Sequence, residues 1–186
     1  MNIEYVIQKS RRKTISLYVS DEKKVIIKAP LNASTEYILD FVKEKKDWII
    51  KQLERKSAEQ EKLKALGLYS QADIRKIKKQ AKKIIPERVE YYAALSGITY
   101  NRIFIRLQKS RWGSCSADGN LNFNCLLALM PVEVMDSVVV HELCHRRHMN
   151  HSREFYEEVY KYYPEYKKWH KWLKDNGDIY LRRAGL

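Results

Sequence analysis

The sequence predicts an α+β chain in which a small antiparallel sheet packs on a helix carrying His-Glu-x-x-His, preceded by an N-terminal β-hairpin and helices. Three observations lead there. Short alternating apolar runs occur near both the start and the middle of the chain. Long stretches at helical spacing separate them. An apolar run, Val138-Val139-Val140, leads straight into His141-Glu142-Leu143-Cys144-His145.

Taken in order, residues 3–7, 14–19 and 25–29 read as short strands. Ile15, Leu17 and Val19 alternate with polar positions, and Asp21-Glu22-Lys23-Lys24 forms the turn before Val25-Ile26-Ile27. Ala29-Pro30 closes that segment. Ser34 opens a helix carried by Ile38, Phe41, Val42, Trp48, Ile49 and Leu53, with Trp48 expected in the core. Residues 51–69 are so charged that helix extension and linker are equally open. Ser70-Gln71-Ala72-Asp73 resembles a capping box, followed by Ile74, Ile77, Ala81, Ile84, Ile85, Val89 and Tyr92 at helical spacing. Pro86 is expected to kink this helix and Ser96-Gly97 to stop it. A strand begins at Ile103–Ile105. A second, Asn120 to Cys125, follows the Ala117-Asp118-Gly119-Asn120 turn as one arm of a hairpin. Pro131 marks the first turn of the motif helix, followed by the acids Glu133 and Asp136 expected near a helix N-terminus. Ser152 caps the next, and a last helix is centred on Tyr166 to Leu173. The simplest division is an N-terminal region of residues 1–69 and a second domain of residues 70–186.

The motif carries chemistry because of its spacing. Histidines at i and i+4 share one helix face and bracket one metal ion, and the glutamate beside the first is placed to take a proton from a water activated there. The five-residue pattern alone arises by chance in roughly one chain in two hundred of this length, so a third ligand decides its meaning. His148 lies on the same face but about 7.5 Å further along the axis than the expected metal level, too far to reach back. Asn150 tolerates the left-handed conformation that ends helices, which puts His151 at a corner facing the metal. His151 is therefore the preferred third ligand. A thiolate from Cys115 or Cys125, as in peptide deformylases, and a carboxylate from Glu154 or Glu157 stay open. Cys144 reads as a small buried filler.

The bulk properties bound the rest. The 36 basic and 23 acidic residues give a formal charge of +13, which raises the expectation of an acidic partner such as nucleic acid. Much of that charge sits on lysine-rich helical faces, which are ordinarily just solvated. No run approaches the ~18 apolar residues of a membrane span, and the start of the sequence does not read as a signal peptide. Three widely spaced cysteines make no disulfide framework. A reducing cytoplasm is expected, with no membrane partner.

Arg111-Trp112-Gly113-Ser114-Cys115 reads equally as a tightly packed strand end, with Gly113 giving backbone room, or as an edge that pairs with an extended substrate.

Together, Ser10-Arg11-Arg12-Lys13-Thr14, Ala29-Pro30, Asp47-Trp48-Ile49, Arg111-Trp112-Gly113-Ser114-Cys115-Ser116, Leu121-Asn122, the His141–His145 motif, Asn150-His151-Ser152 and Phe155 resemble the YgjP-like zinc metallopeptidase family over nearly the whole chain. The resemblance implies a zincin-like metallopeptidase core, Zn2+ held by His141, His145 and His151, Glu142 as catalytic acid/base, and a protein or peptide substrate. Tyr156 departs from the tryptophan frequent in that family. The histidine spacing is also similar to that of SprT/Wss1-type proteases, which act on proteins attached to DNA. Peptide hydrolysis needs a donor for the developing oxyanion, and Tyr156, Arg111 and Asn150 are the candidates. The rival expectations are a zinc hydrolase of a non-peptide or formylated substrate, a DNA-associated protease, and a nucleic-acid-binding module with structural zinc.

Overall fold

The structure, a computed structural model, describes residues 4–20 and 22–186. The chain forms two compact units that divide between Leu66 and Gly67.

In the first unit, β1 (Tyr5–Ser10), β2 (Ser16–Val19) and β3 (Val25–Pro30) form a sheet in the order β1-β3-β2. β2 and β3 are the expected hairpin, and β1 joins β3 in parallel. Residue 3, expected to open the first strand, and Asp21 of the hairpin turn lie outside the described residues. Lys23 takes a positive φ of 61° to close that turn. Val25, Ile27 and Ala29 alternate inward from β3 onto Ile38 and Ile49. The helix expected from Ser34 to Leu53 is two, α1 (Thr35–Glu44) and α2 (Lys46–Leu66), with Lys45 capping the first. The charged stretch beyond residue 51 is thus mainly helix extension. Trp48 is not core: it is 44% exposed, and Ile49 takes the buried position beside it.

The second unit opens with α3 (Gln71–Ser96). Its capping box is complete: Ser70 Oγ accepts from Asp73 N–H at 3.1 Å, and the Asp73 carboxylate accepts from Ser70 N–H at 2.9 Å. The helix runs through Pro86 as one element and ends at Gly97, whose φ of 67° suits a residue without Cβ. Then come β4 (Ile103–Arg106), β5 (Gly113–Cys115) and β6 (Leu121–Asn124), in the order β4-β6-β5. The hairpin is β5–β6, antiparallel as expected, but β4 pairs with β6 in parallel, so the sheet is mixed. A crossover loop between β4 and β5 makes this possible, and no local pattern announces it.

A 3-10 segment, Cys125–Leu129, leads to α4 (Val132–Cys144). Pro131 stands just outside that helix as its N-cap rather than in its first turn. α4 is buried nearly all round, through Val134, Met135, Val138, Val139, Val140, Leu143 and Cys144. α5 (Arg153–Tyr162) and α6 (Tyr166–Arg183) complete the unit, both packed against α4. α6 extends well past the expected Tyr166–Leu173 segment, through Asn176-Gly177. A Cβ on Gly177 would come within 2.9 Å of Trp112, so glycine there lets the helix lie close to that indole.

One polar tie fixes α4 to α3. Asp136, expected as an N-terminal helix acid, is 5% exposed and accepts a bidentate pair from Arg88 at 2.6 and 2.7 Å, with Tyr92 Oη adding a third bond at 3.2 Å. Arg88→Met leaves this carboxylate buried without its cation. It is expected to cost on the order of 3 kcal/mol, lowering the unfolding midpoint by roughly 10 °C. Thermal unfolding checks this, and an unchanged midpoint would refute it. Adding Asp136→Leu is expected to restore most of the loss.

Candidate metal and catalytic site

The motif helix ends sooner than its sequence suggested. Cys144 is the last helical residue and His145 the cap. Arg146 N–H then bonds to Leu143 O at 2.9 Å, and Arg147 and His148 N–H bond to Cys144 O at 3.0 Å each. Lys23 is the one non-glycine with positive φ among the described residues, so Asn150 makes the corner without a left-handed conformation. Ser152 then caps α5, its Oγ accepting from Phe155 N–H.

This tight exit brings three imidazoles together. His141 Nε2 lies 3.1 Å from His145 Nε2 and 3.2 Å from His151 Nε2. Nitrogens held at about 2.0–2.1 Å from one tetrahedral zinc stand roughly 3.3 Å apart, so the donor set fits such an ion. Among the described residues, this is the group of three whose ligand atoms converge, all within 4.8 Å. Cys115 lines the adjoining cavity without joining the group, and Cys125 is buried in the 3-10 segment. Glu157 pairs with Arg153, and Glu154 is exposed. Phe155, fully buried, floors the site: it stacks on His145 at 4.5 Å and meets His141 and His151 edge-on.

The far side of two rings is held. His145 Nδ1 donates to His148 O at 2.9 Å, and the His148 ring in turn meets Glu158 at 3.0 Å, a carboxylate also paired with Arg147. His141 Nδ1 faces Tyr166 Oη at 2.9 Å, and Tyr166 Oη lies 3.1 Å from His170 Nδ1. Such partners fix the tautomer that leaves Nε2 free for a metal. His148 contributes through its carbonyl rather than its ring. Sequence reasoning missed Tyr166 and His170. The available signal was their i, i+4 spacing, together with His170 being the one histidine of five outside the 141–151 segment.

Glu142, 5% exposed, lies against Gly113 beneath β5 and lines the cavity bordered by the three histidines. Burial pushes its carboxyl up to about 8, opposed by Arg111. Burial, then the neighbouring histidines, holds His141 down at about 3. His145 and His170 are also lowered, mainly by burial. These imidazoles are neutral, the form that binds metal.

The signs of these shifts set the stability of the metal-free protein. Below the ordinary value of 6.5 an unfolded His141 takes up a proton that the folded one refuses, so stability falls as pH drops through 6.5. His145 and His170 act in the same direction. Folded Glu142 keeps a proton that the unfolded one loses above 4.5, so stability falls as pH rises towards about 8. The expected profile of unfolding midpoint in chelator peaks near 6.5, and Glu142→Gln flattens its alkaline side. An alkaline decline unchanged in that variant would show the source to be elsewhere.

Two cavities meet at His141 and Glu142. One, about 240 Å3, is lined by Arg111, Ser114, Cys115, His145, Met149 and His151 besides. The other, about 190 Å3, is walled by Trp112, Val138, Leu173, Ser137 and His170. Arg111 and Gly113 border both. Tyr156 and Asn150 line neither: Tyr156 is half-buried with its ring 6.2 Å from His151, and Asn150 is exposed. β5 borders both cavities at the edge of its sheet, the position from which a strand is free to pair with another chain.

An α+β unit with a helix-borne histidine pair, a third histidine from the following turn and a buried glutamate between two cavities defines the class as metallopeptidase. The YgjP-like metallopeptidase domain model matches residues 13–74 and 70–176, and the chain belongs to that family. Solved structures similar to it include the metallopeptidase zymogens of Pyrococcus abyssi abylysin (TM-score 0.46) and Methanocaldococcus jannaschii jannalysin (TM-score 0.45). Each is 22% identical and covers 50% of this chain and 96% of its own. No curated protein matches the chain.

Proposed function

We propose that this metallopeptidase is a zinc enzyme in which the Nε2 atoms of His141, His145 and His151 hold the ion and Glu142 is the general base. The observation that carries this reading is the convergence of three imidazoles beside a buried carboxylate. A zinc ion there supplies Lewis acidity towards water and the scissile carbonyl. Glu142 takes the proton of the attacking water and returns it to the leaving amine. Its raised pKa suits a group that must hold a proton between the two steps, and Arg111 tempers the rise. Tyr166 and the His148 carbonyl keep two of the imidazoles aimed at one point. An extended peptide laid along the free edge of β5 would present its backbone to Glu142.

Elemental analysis tests the ligand set. Purified wild type is expected to hold about one zinc per chain, and His151→Ala to lose most of it. Full retention in the variant would move the third ligand elsewhere. A panel of unfolded proteins beside small and formylated amides tests the peptide substrate. The exposed cations Arg75, Lys76, Lys79, Lys82 and Lys83 of α3 are open to an acidic partner such as nucleic acid. Binding of that kind would weaken steeply with salt and survive Glu142→Gln, which separates it from hydrolysis. Among the described residues no helix is long and apolar enough to cross a membrane. The three free thiols agree with a cytoplasmic location.

A further inference from the structure

The hydrogen-bonded chain behind His141 has a direction. His141 turns Nε2 towards the point it shares with His145 and His151, so its ring proton sits on Nδ1. That proton is donated to Tyr166 Oη at 2.9 Å. The phenol has one hydrogen of its own, and the next acceptor is His170 Nδ1 at 3.1 Å. A neutral imidazole that accepts at Nδ1 carries its hydrogen on Nε2. The outer nitrogen of His170 is therefore an N–H donor, and it has no protein partner among the described residues.

His170 shares the wall of the 190 Å3 cavity with Glu142, His141 and Gly113. Its ring lies nearly parallel to that of His141, with centroids 6.5 Å apart and planes 12° apart. α6 fixes it there: Tyr166 is 3% exposed and stacks on His170 one helical turn away. Of the other candidates for an oxyanion donor, Arg111 borders both cavities but is an exposed, long side chain with no fixed partner positioning it among the described residues, whereas Tyr156 and Asn150 line neither cavity.

We propose that His170 is a catalytic residue, donating its Nε2–H to the substrate carbonyl oxygen as that oxygen gains negative charge, with Tyr166 as the positioning residue that sets its tautomer. The inference rests on the peptidase reading above. No proton leaves His170 in this role: the hydrogen bond strengthens with the charge and relaxes when the tetrahedral carbon collapses. A donor already oriented in the folded protein needs no rearrangement at that moment.

Zinc-loaded wild type, His170→Phe, His170→Gln and Tyr166→Phe make the test, with two readouts. Long-range 1H–15N correlation spectra of the imidazoles are expected to show His170 protonated at Nε2 in wild type and as a tautomer mixture in Tyr166→Phe. On a quenched fluorescent peptide cleaved by wild type, His170→Phe is expected to lose about 100-fold in kcat with KM and zinc content held. His170→Gln, which keeps an N–H donor, is expected to recover part of that loss. A His170 proton on Nδ1, or wild-type kcat in a zinc-replete His170→Phe, overturns the donor role alone. A wild type that cleaves no peptide overturns the peptidase reading and the donor role with it, while the tautomer still decides the direction of the chain.

Discussion

Glu142→Gln is expected to keep its metal and its fold and to lose turnover by on the order of a thousandfold. The amide has nearly the shape of the carboxylate, so the packing beneath β5 is preserved. None of the three converging imidazoles is touched, so zinc content should match wild type. What goes is the lone pair that takes a proton from water and the acid that later protonates the amine. A thousandfold corresponds to about 4 kcal/mol of barrier, large for one atom replaced. It is credible here because the carboxyl is 5% exposed, where water is poorly placed to stand in for it. Steady-state kinetics on any peptide cleaved by wild type, with elemental analysis of both proteins, gives the answer. Undiminished hydrolysis with full zinc would sink the assignment of Glu142, and loss of zinc would recast it as part of the metal's support.

The parts of this site legible in the sequence were those encoded by local spacing. His141 and His145 follow from the helix repeat, and His151 from a corner before a good N-cap, Ser152. The helix exit was read wrongly in detail: backbone bonds onto Leu143 and Cys144, together with the His145–His148 contact, close it before Asn150 is reached. Capping boxes and turns were likewise readable, as at Ser70. What was not readable depends on elements distant in sequence that meet only after folding. Tyr166 lies 25 residues from His141, and its role exists only because α6 packs on α4. Asp136 looked like an ordinary helix acid until α3 brought Arg88 to it from 48 residues away. The parallel pairing of β4 with β6 hides for the same reason, since a crossover leaves no periodic trace.

Gly113→Ala separates geometry from chemistry at this site, and it is expected to lose about a hundredfold in kcat with metal retained. A methyl group at this position would lie 2.5 Å from Glu142 Oε1, 2.6 Å from its Cγ and 2.8 Å from its Cδ. All three nearest atoms belong to the proposed base. Room is made either by swinging the carboxylate aside or by lifting β5 off α4, and each course moves Glu142 relative to a substrate aligned on that strand. The backbone of Gly113 is not in the left-handed region, so the cost is steric and falls where the two meet. A loss of about 1–3 kcal/mol in stability should accompany it, well short of unfolding. The decisive comparison is the double variant. If Gly113 acts by seating Glu142, then adding Gly113→Ala to Glu142→Gln lowers kcat little further, because the group being misplaced no longer takes part. Multiplying losses would mean that Gly113 serves the substrate strand directly, and a wild-type kcat in the single variant would mean that β5 yields freely and does not set the position of the base.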